Sequence, residues 1–220
     1  MAINLKKLPF YSNGEESVNV ISHFFGFLFS LGVLGYFISV NVIRRLTFLY
    51  MLPYYVYSLS MMIVFFVSTF YHFQKQGSVA KAVSRIIDHS DIYLLVAGTY
   101  TPICIYGATF IPAGLSMLII EWVISIVGML LVIFGLNNKI CSLISHILYI
   151  ILGWLIIFFI YFIDTKSKMF LFILLGGIAY SIGAILYAIG KKKKWFHSIF
   201  HFFILLAAIL QFIGLYFLLG

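Results

Sequence analysis

The stretch "WFHSIFHFF" places His197 and His201 four residues apart at the start of a long apolar segment. Residues i and i+4 share one face of a helix, so both imidazoles can point into one site, as paired zinc-binding histidines do. Ser68 and His72 repeat this spacing in another apolar segment. Three imidazole ligands leave one tetrahedral position of zinc open, which is typical of catalytic sites. The spacing therefore predicts a Zn²⁺ site of His72, His197 and His201.

Asp88 is the acidic residue best placed to assist chemistry at such a site. Zinc lowers the pKa of a bound water to about 7, and a nearby carboxylate can orient that water or accept its proton. His89 lies about 100° around the helix from Asp88 and is expected to point elsewhere. Asp91 shares a face with Asp88, but a solvated helix start favours acids in any case. Asp88 is therefore the predicted catalytic carboxylate.

The composition indicates that the solvent of this chain is largely lipid. Of its 220 residues, 64% are hydrophobic and 9% charged, whereas soluble domains have about 45–50% apolar and about 25% charged residues. Apolar runs fill nearly the whole length, so we expect one transmembrane domain over residues 1–220 in a cell membrane. The basic residues lie in short breaks between these runs, where they indicate topology and not a nucleic-acid partner.

Polar or turn-forming breaks divide the apolar sequence into runs long enough to cross a hydrocarbon core of about 30 Å. The break from Gly107 to Pro112 carries no charge, but residues 92–134 are too long for a single crossing. The runs lack strand-like alternation, which favours helices over a barrel. We predict an all-α bundle of seven transmembrane helices over residues 18–39, 48–72, 86–106, 112–135, 142–163, 169–190 and 196–219.

The distribution of Lys and Arg between short loops predicts the orientation of this bundle. With seven spans, the N-terminus and every second loop share one side. That side carries ten basic residues: Lys6, Lys7, Lys75, Lys81, Arg85, Lys139, Lys191, Lys192, Lys193 and Lys194. The other side carries Arg44, Arg45, Lys166 and Lys168. The excess predicts a cytoplasmic N-terminus and a C-terminus outside.

Polar side chains from four predicted spans gather in the cytoplasmic third of the membrane. Charged and imidazole groups are expensive in lipid and usually face the bundle interior. A lone histidine at an interface is most often an anchor, but this joint constellation favours a shared site. Its members are Glu15, Glu16, Asn19, His23, Ser68, His72, Asp88, His89, Asp91, His197 and His201.

Two further polar residues lie outside this constellation. His146 opens the fifth predicted span on the same side but has no paired partner, so we interpret it as interfacial. Glu121 lies about two turns into the fourth span from the outer side, far from the histidines. Intramembrane acids are candidates for function, and both a structural and a functional role stay open for Glu121.

Four segments together resemble the hemolysin III family: "EESVNVISHFFG", "STFYH", "RIIDHSDIYLLVAGTYTP" and "HSIFH". This family is the bacterial branch of the progestin and adiponectin receptor group, which is similar to the alkaline ceramidases. The resemblance covers essentially the whole chain, with seven spans. It implies a zinc near the cytoplasmic face held by three histidines, at the positions of His72, His197 and His201.

The resemblance also carries over residues around the metal. Asp88 corresponds to the family's acid near the metal-bound water, and Ser68 corresponds to its serine one turn before the histidine of span two. The pattern of the first span places Glu16, Asn19 and His23 close by without implying their role. One departure is Gln211, where many relatives have histidine. It lies more than two turns beyond His201, so the predicted ligand set is unaffected.

Three functions follow as hypotheses. An open zinc site at lipid depth predicts a zinc-dependent intramembrane hydrolase that acts on an amide or ester of a membrane lipid, similar to ceramidase. The family name suggests a pore-forming cytolysin, but no span shows the polar stripe needed to line an aqueous channel. The third hypothesis is a receptor-like membrane sensor, in which zinc only joins spans two, three and seven. The substrate, the physiological role, the oligomeric state and the choice between zinc and another divalent ion that favours imidazole stay open.

Overall fold

The computed structural model describes residues 8–135 and 138–220, and nearly all of these are helical. Lys6 and Lys7, which entered the charge count, lie outside the described residues, as does the side chain of Lys139. Short π-helical and 3₁₀ segments follow the third and fifth helices, at Ile103–Gly107 and Leu155–Phe162. The α-helices are α1 (Asn13–Arg44), α2 (Phe48–Phe73), α3 (Val79–Pro102), α4 (Ile111–Gly135), α5 (Lys139–Gly153), α6 (Lys168–Gly190) and α7 (Phe196–Leu219).

Six segments of the described chain are long and apolar enough to cross a membrane. They are α1, α2, α4, the stretch Ile140–Phe162, α6 and α7. Many large apolar side chains on their outer faces are exposed, as is required of a surface in contact with lipid. The protein is therefore an all-helical, multi-pass membrane protein. The helix α3, with four charged residues, is outside this set, so seven spans and their orientation stay predictions.

Helix caps explain why α1 and α3 begin earlier than predicted. The Ser12 hydroxyl accepts a hydrogen bond from the Glu15 N–H, and the Glu15 carboxylate accepts one from the Ser12 N–H at 2.9 Å, which together form a capping box. At α3, the Ser78 hydroxyl accepts from the Lys81 N–H at 3.1 Å. Lys81 was interpreted as a loop residue, and that interpretation is wrong because it lies in the first turn of α3.

The fifth span is present but is not one continuous α-helix. Regular α geometry ends at Gly153, and Trp154 (φ −110°, ψ 11°) leads into the 3₁₀ segment. The Tyr100 hydroxyl donates to the Gly153 carbonyl at 2.9 Å, and Trp154 Nε1 donates to Ser181 Oγ at 3.0 Å. These bonds tie the break to α3 and α6. A 3₁₀ segment rises about 2.0 Å per residue against about 1.5 Å in an α-helix, so the remaining residues cover more depth.

The helices are arranged so that four of their ends meet. The pairs α1–α2, α2–α3 and α6–α7 have the most extensive contacts, and α1 also packs against α7. Arg44 at the end of α1 donates to the carbonyls of Leu219 and Gly220 at the end of α7, so these two helices run parallel. At their other ends, the starts of α1, α3 and α7 meet the end of α2. We call this part of the bundle the histidine end.

Candidate metal centre

The three predicted ligands converge at the histidine end. His201 Nε2 lies 3.0 Å from His197 Nε2, which lies 3.4 Å from His72 Nε2. One ligand atom from each of the three lies within 4.8 Å of the others, and all three side chains are buried. Zinc–nitrogen bonds of about 2.0–2.1 Å with tetrahedral angles keep ligand nitrogens about 3.3 Å apart. The donor set and its spacing therefore fit such an ion, and the assignment as zinc ligands stays a prediction.

The start of α7 holds two of these imidazoles in place. Trp195 precedes the helix with φ of 67°, a left-handed conformation that is rare for a bulky residue. Its N–H donates to Glu15 Oε1 at 2.7 Å, which fixes this turn against α1. A Cβ at Gly190 would lie 2.8 Å from the backbone nitrogen of His197, so only glycine lets the end of α6 approach this closely.

His72 is oriented through its other ring nitrogen. His72 Nδ1 lies 2.6 Å from Glu16 Oε2, and Glu16 Oε1 lies 2.6 Å from the ammonium of Lys81. A carboxylate can only accept from Nδ1, so this contact leaves Nε2 unprotonated and directed at the other histidines. The amide nitrogen of Asn19 is 3.3 Å from His72 Nδ1. Glu16 of α1 thus supports the ligand that α2 provides, whereas the Asn19 amide nitrogen, a donor, cannot bond to the same Nδ1–H.

The imidazoles of α7 have weaker partners. Ser22 Oγ, which donates to the Asn19 carbonyl at 3.0 Å, lies 3.5 Å from His201 Nδ1. The ring of Tyr11 stacks on that of His197, with centroids 4.5 Å apart and planes inclined by 23°. Burial raises the pKa of the Tyr11 phenol, so this residue covers the cluster as a neutral ring. Neither partner matches the short carboxylate contact at His72.

Asp88 and Ser68 also lie at the histidine end, although neither belongs to the converging ligand atoms. The Ser68 hydroxyl and the Asp88 carboxylate are neighbours, and this carboxylate also lies near His23 and His197. His89 was predicted to point elsewhere; its Nε2 lies 3.1 Å from the Tyr187 hydroxyl on α6, while its Nδ1 is 3.4 Å from Asp88 Oδ2. An offset of about 100° still leaves adjacent side chains free to lean together.

Other members of the predicted constellation have less clear partners. His23 packs edge-on against His201, with centroids 3.9 Å apart, and neither of its ring nitrogens has a hydrogen-bond partner among the described residues. The same holds for both carboxylate oxygens of Asp91, which is also buried. His146 is partly buried and stacks on Tyr187 with centroids 5.8 Å apart.

Lys81, Tyr11, Ser22 and Ser198 belong to the site but were not predicted to do so. Ser198 Oγ donates to Asn19 Oδ1 at 2.7 Å and so joins α7 to α1. For Lys81 a signal existed, because it stands seven residues before Asp88 and residues seven apart share a helix face. That signal becomes visible only once Ser78 is recognised as the cap of α3. The other three carry no comparable pattern.

Glu121 lies in a different region. It is 0% exposed, and neither its carboxylate oxygens nor the Ser125 hydroxyl one turn later have hydrogen-bond partners among the described residues. Tyr100 and Cys104 are among its neighbours. Tyr100 is about 18 Å along α3 from Asp88. The prediction that Glu121 stands apart from the histidines agrees with these neighbours, and its role stays open.

Gln211, the departure from the family pattern, also lies away from the histidine end. Its Oε1 accepts a hydrogen bond from Thr99 Oγ1 at 3.3 Å. Ten residues of α7 separate it from His201, which is about 15 Å along the helix. The side chain therefore joins α7 to α3 deeper in the bundle and does not reach the three-histidine cluster.

The sequence is similar to known proteins over most of its length. The family model described as "Haemolysin-III related" matches residues 11–212. The chain is 36% identical over 193 residues to Hemolysin-3 of Bacillus cereus, covering 87% of this chain and 85% of that protein. It is 33% identical over 193 residues to the Hemolysin-3 homolog of Bacillus subtilis strain 168, covering 87% and 88%. Together with its apolar helices, these matches show that the chain belongs to the haemolysin-III related family of membrane proteins.

Proposed function

We propose that the protein is a zinc-dependent intramembrane hydrolase that cleaves an amide or ester bond of a membrane lipid. The observation that carries the proposal is the convergence of three buried imidazole nitrogens beside Asp88, inside a membrane bundle. Three neutral nitrogen ligands are typical of catalytic zinc, which keeps one position open for chemistry. The surrounding apolar helices favour a substrate that carries an acyl chain.

The proposal includes seven spans, with α3 as the third and the histidine end at the cytoplasmic face. The charged residues of α3 do not argue against a crossing, because Lys81 and Asp91 are buried within the bundle and do not face lipid. A third crossing also connects α2 and α4 in the up-and-down order that short connections favour. The excess of Lys and Arg on the side of the histidine end supports the orientation.

Zinc and the side chains at the histidine end would have separate roles in the reaction. Zinc, when bound, supplies a Lewis acid that polarises the substrate carbonyl and acidifies water. Asp88 accepts a proton from the attacking water and delivers it to the leaving nitrogen or oxygen as the C–N or C–O bond breaks. Ser68, a neighbour of Asp88, would hold this carboxylate by a hydrogen bond during the reaction. The products are a fatty acid and an amine or alcohol, which together contain all atoms of the lipid and the water.

The test is turnover by the purified, zinc-loaded full chain on two probes, an N-acyl sphingoid amide and a glycerolipid ester with fluorescent acyl chains. Wild-type protein is expected to release labelled fatty acid. Asp88→Asn is expected to lose about 10²–10⁴-fold in rate while it retains zinc, because the amide cannot accept the proton. Zinc-loaded protein with no turnover of either probe, together with unchanged membrane lipids in a deletion strain, would contradict the proposal.

A second candidate function, membrane lysis, rests on the name of the relative from Bacillus cereus, Hemolysin-3. Dye release from liposomes by the pure protein measures it directly. The third hypothesis, a receptor-like sensor in which zinc only joins helices, makes a different prediction. In that case variants of the three histidines lose thermal stability, and Asp88→Asn leaves the phenotype of the protein intact.

A further inference from the structure

Lys81 is a buried cation whose contacts are all made inside the bundle. Its side chain is 1% exposed, and its ammonium lies 2.6 Å from Glu16 Oε1, 3.2 Å from the Gln74 carbonyl and 3.4 Å from the Tyr71 carbonyl. These three acceptors match the three N–H donors of an ammonium. A buried charge is tolerated only when it is paired and hydrogen-bonded in this way. Lys81 is therefore an integral, buried part of the histidine end and not a surface charge.

Glu16 connects this cation to the candidate metal centre. One carboxylate oxygen contacts Lys81, and the other lies 2.6 Å from His72 Nδ1. Asn19 is a further hydrogen-bonding neighbour of this carboxylate, and Ser198 on α7 holds the carbonyl oxygen of the Asn19 amide. The contacts thus run from α3 through α1 to the imidazole on α2.

We propose that Glu16 and Lys81 are positioning residues that set the metal affinity of the site through His72. This inference rests on the zinc site of the proposed function. Glu16 accepts the Nδ1–H and so selects the tautomer in which Nε2 is free to bind a metal. Lys81 fixes the carboxylate in that orientation through its 2.6 Å contact with Oε1. Loss of such an outer partner typically weakens metal binding 10–100-fold.

We call the contacts from Lys81 through Glu16 to His72 the relay. Glu16→Gln tests it because an amide has only one acceptor oxygen. Lys81 takes that oxygen, so the amide NH₂ faces His72 Nδ1 and imposes the tautomer with a proton on Nε2. We expect zinc affinity to fall about 10–100-fold. Adding Lys81→Met removes the competitor and lets the amide oxygen turn to His72. The double variant is therefore expected to bind zinc more tightly than Glu16→Gln alone.

The measurement is the zinc Kd of the full chain in detergent, by competition with a chromophoric chelator. Glu121→Gln is the matched control, because this buried glutamate has Tyr100 and Cys104 as neighbours and lies away from the histidine end. It is expected to leave the zinc Kd unchanged. If the role of Lys81 were purely structural, the two substitutions would weaken the protein additively. The double variant would then bind zinc no more tightly than Glu16→Gln, and this result would overturn the proposal.

Glu16→Asp keeps the comparison decisive if Glu16→Gln does not yield folded protein. Aspartate retains the charge but is one methylene shorter, so it cannot reach both Lys81 and His72. We expect weaker zinc binding, and an unchanged Kd would overturn the positioning role. Wild-type protein that binds no zinc would contradict the proposed function itself. Wild-type protein that binds zinc, with Glu16 variants of equal affinity, would contradict only the relay.

Discussion

The histidine end and the region around Glu121 both bury ionisable side chains in the bundle, but they differ in how these are partnered. At the histidine end, Glu16 lies between a buried lysine and His72, and three ring nitrogens face one another. In the other region, Glu121 and Ser125 are fully buried on one face of α4, and their polar side-chain atoms lack hydrogen-bond partners among the described residues. One region has a charge network around open ligand atoms, and the other has an acid in apolar surroundings.

This difference separates a group of side chains that could hold a metal ion from an isolated polar group. Two unprotonated nitrogens about 3 Å apart repel each other unless a proton or a cation lies between them. The contacts of His72 leave its Nε2 available to a metal, because Glu16 occupies its Nδ1–H. Glu121 has no such surroundings in the described structure. The comparison predicts that similar substitutions in the two regions change stability in opposite directions.

The largest effect is expected for Glu16→Met, which preserves the length of the side chain but removes its charge. Lys81 is then buried without its carboxylate, and breaking a buried pair in this way costs about 3–5 kcal/mol. Thermal unfolding of the metal-free protein in detergent measures the loss. Lys81→Met added to Glu16→Met is the control, because it removes the unpaired cation. Failure of this second substitution to restore stability would show that the ion pair is not the cause.

A smaller effect of opposite sign is expected for Glu121→Met. Removing a buried carboxyl that has no hydrogen-bond partner relieves about 1–3 kcal/mol of desolvation penalty. The same unfolding assay should therefore show a higher midpoint than wild type, with the zinc Kd unchanged. A lower midpoint would contradict the comparison. It would show that Glu121 has a partner in the membrane and would favour a functional role for this residue.

The smallest effect is expected for Ser22→Ala, which removes the weaker outer partner of the cluster. Ser22 Oγ lies 3.5 Å from His201 Nδ1, at the limit of a hydrogen bond, whereas the Glu16 contact with His72 is 2.6 Å. We expect about 0.5 kcal/mol, or about a twofold weaker zinc Kd. A loss as large as that of Glu16→Gln would show that the two outer contacts are equivalent.

Local sequence patterns predicted most of the helices and the convergence of the three histidines. The i,i+4 pair on α7 depends only on helix geometry, and the long apolar runs identify their spans by composition. His72 was brought to the same end by simple alternation of helix direction, which α1 and α2 obey. These features need no knowledge of which side chains touch across the bundle.

The features that were missed depend on contacts between distant segments. Lys81 is typical of a loop by composition, and its burial depends on Glu16, 65 residues away in sequence. The change from α to 3₁₀ geometry after Gly153 is supported by hydrogen bonds from Tyr100 and to Ser181, which no local pattern indicates. Ser22, the partner of His201, likewise comes from α1, whereas Glu16 and Asn19 were expected close by without a stated role. Tertiary contacts, more than helix propensity, determined these parts of the site.

Metal analysis of the purified full chain tests the central claim most directly. After equilibration with Zn²⁺ and removal of free metal, the wild-type protein is expected to retain about one zinc ion per chain. A variant with His197→Ala and His201→Ala, which removes two of the three converging nitrogens, is expected to retain none. Wild-type protein without bound metal, or a variant with the same zinc content as wild type, would contradict a metal centre at the histidine end.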